Sequence, residues 1–127
     1  MKSRTIARLF YCLTNLLEIS FQTRELRDIC QTQAIAENTL GSDVAATLRR
    51  RVADLMAAES YLDLPLGNPR LIYKDGNEYL ILDLCLGRYL EFTPGYHNAP
   101  IDHCGGVNWS QVFRVKLMKI GQKNDSH

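Results

Sequence analysis

The pattern that most constrains this chain is a change of period. Between residues 24 and 56 apolar side chains recur every three or four positions, and from Arg70 onward they recur every two. The first spacing places one face of a helix against a core, and the second places alternate faces of a strand. Leu26, Ile29, Cys30, Gln33, Ala36 and Leu40 define one helical stripe, capped by Thr23 and closed by Gly41. Val44, Leu48, Val52, Leu55 and Met56 define a second, with Ser42 as its cap. The triplet Arg49–Arg51 falls mostly on the solvent side of that second helix, as a solvated face or a contact for an acidic partner or an RNA backbone. Ahead of the helices, "LLEISFQT" (16–23) reads as a strand. Behind them, "LDLPLGNP" reads as a loop.

The second half reads as strands joined by tight turns. "RLIYK" is followed by a turn at "DGN", "EYLILDL" by a turn at "CLG", and "RYLEFTP" by the long loop "GYHNAPIDHCGGVNWS". "VFRVKLMKI" is the last strong strand, before the polar tail "GQKNDSH". A strand, two helices and about four more strands predict an α/β chain of the α+β type. Both N-terminal helices are expected on one face of a mostly antiparallel sheet of four to five strands. The other face is then open to solvent or a ligand.

Composition sets the limits. A length of 127 residues with 46% hydrophobic and 23% charged residues suits one globular domain with one modest core. With a net charge of +1, bulk electrostatics do not mark the chain as a nucleic-acid binder, so any basic site must be local. Cys12, Cys30, Cys85 and Cys104 show no CxxC or Cys/His ligand spacing. Neither disulfides nor a zinc site is expected, and a reducing cytoplasmic setting is. The apolar run Leu9–Leu17 is too short to span a bilayer, which takes ~20 apolar residues. No membrane association, metal or cofactor is expected. Residues 1–16 read as an N-terminal extension, helical or upstream of the natural start. Residues 17–120 read as the domain, and 121–127 as a tail.

Alternation sorts the side chains of the sheet. In the last strand Phe113, Val115 and Leu117 should lie under the helices, and Val112, Arg114, Lys116 and Met118 on the open face. In "GRYLEF" (87–92) Leu90 and Phe92 should be core. Tyr89 and Glu91 then face the open side, and Arg88 leans out at the rim unless a bulge at Gly87 shifts the phase. Arg114 and Lys116 are candidate phosphate contacts, and Arg70, at the entry to the sheet, is another. His97 and His103 lie in the long loop and His127 is the last residue; histidine is the usual proton carrier near neutral pH.

Four stretches, "FQTRELRDICQ" (21–31), "LRRRVADLMAAESYLDLPLGNPR" (48–70), "GRYLEF" and "VNWSQVFRVKLMKI" (107–120), carry a resemblance. In collinear order over about residues 17–120, they resemble the RelE/ParE superfamily of bacterial type II toxins, most of all the HigB-type killer proteins. The resemblance implies a RelE-like fold and a toxin neutralised by a cognate antitoxin, of helix-turn-helix type. It also implies ribosome-dependent cleavage of mRNA without a metal, by attack of a ribose 2′-hydroxyl on the adjacent phosphate. That chemistry takes cations on the phosphate oxygens, a base and an acid. Carried over, it implies catalytic roles for Arg88, Tyr89, Lys116 and His127, and RNA or phosphate contacts by Arg70, Arg114, Lys116 and His97. Relatives read "GYRLVF" where this chain reads "GRYLEF", so their arginine falls at Tyr89 and an apolar residue at Glu91. Their terminal "DYH" corresponds here to "DSH" (125–127), displaced by about two residues. Two alternatives follow from the same resemblance: a degenerate homologue that only binds antitoxin, and a ParE-like toxin directed at gyrase. An unrelated small α/β domain is a further alternative.

Overall fold

A computed structural model describes residues 16–95 and 99–123 of the chain. It is an α+β structure in which three α-helices lie on a five-stranded mixed sheet. Strand β1 (Glu18–Phe21) leads into helices α1 (Arg24–Gln31), α2 (Gln33–Leu40) and α3 (Ser42–Met56). A short 3-10 turn at Tyr61–Asp63 precedes β2 (Arg70–Lys74), β3 (Asn77–Asp83) and β4 (Arg88–Pro94). A second such turn, Trp109–Gln111, precedes β5 (Arg114–Gln122). The order across the sheet is β1-β5-β4-β3-β2, with β1 parallel to β5 and the other three pairs antiparallel.

Two expectations about the helices change here. The single helix read over 24–40 is two helices, because Thr32 adopts an extended backbone (φ −125°, ψ 112°) between them. Threonine is β-branched and tolerates that conformation readily. The apolar spacing runs across the break, with Ile29 and Ala36 both buried, which hides it from the sequence. Ser42 does not cap the next helix. Gly41, at φ 88°, holds the N-cap position, and Ser42 is the first helical residue. Thr23 does cap α1, its Oγ1 accepting from the Leu26 amide at 3.1 Å.

The core is a single cluster. Ile29, Ala36, Val44, Ala45, Leu48 and Leu55 of the helices join Leu80, Leu82, Leu90, Phe92, Val115 and Leu117 of the sheet. All six sheet residues fall on one alternation phase, as the register shows: Leu80 pairs with Phe92, Leu82 with Leu90 and Phe92 with Leu117. Val112 and Phe113 exchange their expected positions. Val112 is buried and Phe113 is exposed, because the strand begins only at Arg114 and the preceding 3-10 turn sets their directions.

The ladder between β4 and β5 contains a bulge, though not at Gly87. Glu91 pairs with Lys119 and Phe92 with Leu117, so Met118 is the extra residue on β5. Strict alternation from Val115 and Leu117 would send Lys119 to the core side. With the bulge, Ile120 packs against the core instead, and Lys119 and Gly121 turn to the second face of the sheet.

Both hairpin turns use the left-handed region. Asp75 and Gly76 (φ 53° and 80°) join β2 to β3, and Leu86 and Gly87 (φ 58° and 79°) join β3 to β4. Consecutive positive φ values suit the right-handed twist of the strands they connect.

Candidate nucleic-acid interface

The second face of the sheet holds a basin of about 260 Å³ lined by Arg70, Ile72, Lys74, Ile81, Tyr89, Glu91 and Lys123. Its floor follows from alternation. Arg70, Ile72 and Lys74 are in phase on β2, with Ile81 opposite Arg70 on β3. Tyr89 and Glu91 are in phase on β4, opposite Asp83 and Ile81.

Tyr89 occupies its place because β5 offers no side chain beneath it. Gly121 is its partner in the ladder, and a Cβ added there would lie 2.3 Å from the phenol ring. A glycine inside a strand marks such a close approach. Lys119, two residues back on the same face, brings its ammonium to 5.9 Å from the ring centroid, within cation–π range.

Two carboxylates, Glu91 in the basin and Asp83 beside it, are tied to cations. Glu91, only 5% exposed, accepts from Lys74 Nζ at 3.0 Å. The hydrogen bond to Glu91 holds the Lys74 ammonium above its ordinary value of 10.5, against a smaller opposite effect of desolvation. Asp83 accepts from Arg70 Nη2 at 3.1 Å, and Arg70 Nη1 donates to the Asn68 carbonyl at the same distance. A buried carboxylate needs such a partner.

The sequence-derived candidates separate into three groups. Arg70 and Tyr89 come together in the basin. Arg114 and Lys116 share the same face but sit at the other end of β5. Lys116 pairs with Thr93, four residues along β4 from Tyr89, or roughly 13 Å at ~3.3 Å per residue. Arg114 Nε there lies 3.4 Å from Glu18, both side chains being more than half exposed. Arg88 stands on the opposite side of the sheet from Tyr89. Its Nη1 donates to Gln122 Oε1 at 3.3 Å, and its Nε is buried with no hydrogen-bond partner among the described residues. His97 and His127 lie outside the described residues. Of the arginine triplet, Arg49 and Arg50 are exposed, whereas Arg51 is half-buried and donates from Nε to the Asp83 carbonyl at 3.0 Å.

The sequence reading placed Glu91 on this face but passed over its partner Lys74, and also Lys119, Lys123 and Asp83. Lys74 had a signal, since "RLIYK" alternates cation, apolar, cation on one face. Lys119 had an indirect one, a lysine in what strict alternation makes a core position. A second cavity, of about 410 Å³, lies between the two 3-10 turns, but Glu59 and Asp63 give it the wrong charge for phosphate.

The remaining chemistry is sparse. Among the described residues no three metal-ligating side chains converge, and no helix is long and apolar enough to cross a membrane. Cys30, Cys85 and Cys104 are free thiols, and burial pushes that of Cys30 up to about 11. Comparison of the chain with protein-family models, with curated proteins and with solved structures finds no match.

Proposed function

We propose that this chain is the toxin of a type II toxin–antitoxin system, a RelE/HigB-type endoribonuclease that cuts mRNA on the ribosome. The observation that carries this reading is the basin, where an aromatic ring and basic side chains meet on the sheet face that does not share the helical core. Single-stranded RNA asks for that combination, a stacking surface beside cations that track the backbone. The element order and the common core of helices and sheet also fit a RelE-like fold, with the helices covering one face.

In this reading Tyr89 stacks on or positions a nucleotide, and the cations around it hold the phosphate. The 2′-hydroxyl attacks the adjacent phosphorus and the 5′-oxygen of the next nucleotide leaves, producing a cyclic phosphate and a free 5′-hydroxyl. The proton of the attacking hydroxyl goes to a base and the leaving oxygen receives one from an acid, the role assigned to His127 by resemblance. Arg114 and Lys116, at the far end of the face, suit continued contact with the strand. Partners would be a helix-turn-helix antitoxin, the ribosome and mRNA, and the setting cytoplasmic.

A second reading has its own support. Arg88 points away from Tyr89, and Glu91 neutralises Lys74 within the basin. Both features suit a homologue that binds antitoxin and cleaves poorly. Induced expression with mapping of mRNA 5′ ends separates the two. Growth arrest with new 5′ ends inside translated messages supports the nuclease. A tight antitoxin complex with neither effect supports the binding module. DNA damage in place of translation arrest would point to gyrase instead.

A further inference from the structure

The bulge at Met118 has a consequence for what the basin binds. It puts Lys119 beside Tyr89, and Gly121 beneath Tyr89, on one face of the sheet. The ring crosses the backbone of Gly121 and still lines the basin. The Lys119 ammonium stands 5.9 Å from its centroid, on an exposed side chain.

Lys119 stands at the Tyr89 edge of the basin and outside its lining, and two of the cations that do line it, Arg70 and Lys74, are differently engaged. Arg70 is held by Asp83 and the Asn68 carbonyl, and Lys74 by Glu91. Glu91 is the ladder partner of Lys119, so the nearest carboxylate on β4 could have paired with it. That carboxylate instead reaches the other way, to Lys74 at 3.0 Å. Among the described residues Lys119 therefore has a ring beside it and no carboxylate within ion-pair range. A cation in that state can take a ligand anion without first giving up an internal partner.

We propose that Tyr89 and Lys119 form a nucleotide-binding unit for single-stranded RNA, with the base stacked on the Tyr89 ring and the adjoining phosphate held by Lys119. This deepens the RNA reading proposed above and rests on it. It assigns a phosphate-binding role to a residue that the resemblance does not mark, and it makes Gly121 a determinant of the site through the space it leaves.

Two kinds of contact leave different signatures in a salt titration. A phosphate contact releases counterions, so its loss flattens the dependence of log K on log salt by about 0.7 for a single strand. A stacking contact weakens binding without changing that slope. The experiment measures fluorescence anisotropy of a labelled single-stranded RNA dodecamer against the full chain, between 50 and 300 mM salt. Lys119→Met should weaken binding and flatten the slope by about one contact. Lys119→Arg should keep the slope. Tyr89→Leu should weaken binding about tenfold at every salt concentration. Arg24→Gln, an exposed cation on α1, should change neither by as much. Circular dichroism confirms that each variant is folded.

If wild-type protein binds the RNA and Lys119→Met keeps the full slope, the unit is wrong while the nuclease reading stands. If wild-type protein does not bind the oligonucleotide at all, the unit is wrong as well. If the Lys119 signature appears but induced expression leaves mRNA intact, the unit stands and the nuclease reading falls.

Discussion

Leu90 and Glu91 are neighbours on β4 and nearly equally buried, at 0% and 5% exposure. They are buried by opposite means. Leu90 belongs to one cluster with apolar side chains of the helices and the sheet. Glu91 faces the other way and is tolerated because Lys74 meets it at 3.0 Å. One strand thus supports a core on one face and a charged basin on the other. The core face is held by packing that no single contact dominates. The basin face is held by a few specific pairs, and these are the pairs a ligand would have to work around.

The largest expected effect breaks the core side of this comparison. Phe92→Ala should cost about 3–5 kcal/mol in chemical denaturation, since Phe92 is fully buried and the change leaves a cavity in the core. Tyr89→Leu, three residues away on the other face, should cost well under half of that while weakening RNA binding. Comparable losses from the two would mean that both faces are core.

Next comes Gly121. Gly121→Val drives a side chain into the Tyr89 ring and should destabilise by about 2 kcal/mol, with the basin displaced. Adding Tyr89→Ala to it should recover most of that loss, a coupling that a double-mutant cycle reads directly.

The Lys74–Glu91 pair sharpens the comparison through its asymmetry. Lys74→Met leaves a buried carboxylate without its partner and should cost about 2 kcal/mol, less than a fully buried pair because Lys74 itself reaches solvent. Glu91→Gln should cost less, since the lysine can hydrate, and it should strengthen RNA binding by freeing a cation. The folded pKa of Lys74 lies above its ordinary 10.5, so the pair stabilises fully below that value and loses its contribution as pH rises through the higher folded one. The stability gap between wild type and Glu91→Gln should therefore be flat from pH 7 to 9 and narrow only beyond 10.5.

The smallest effect lies outside both faces. Leu86 holds φ 58° in the β3–β4 turn while 71% exposed, a costly setting for a leucine. Leu86→Asn should raise stability by about 0.5–1 kcal/mol, measured by thermal unfolding.

The core face could be read from the chain because apolar alternation reports it locally. Leu80, Leu82, Leu90 and Phe92 all stand where a two-residue period puts them. The same period separates Arg88 from Tyr89 and turns Tyr89 to the second face. The break at Thr32 was hidden, since helical spacing continues through it. The bulge was hidden for a different reason. It is a matter of register between β4 and β5, strands separated by the long loop, and the one local sign of it in "KLMKIG" is indirect, a lysine at what strict alternation makes a core position. With it went the placement of Lys119, Gly121 and the basin's second row. Arg114 and Lys116 were turned to the right face, but period alone could not tell which end of that face holds the cavity.

We propose that the Tyr89 basin serves an mRNA endonuclease. A purified translation reaction tests it most directly, with a defined message, ribosomes and either wild-type chain or Tyr89→Ala. Wild-type protein should truncate the message only when ribosomes are translating it, and Tyr89→Ala should leave it mostly intact. Full-length message and undiminished translation in the presence of folded wild-type protein would contradict it.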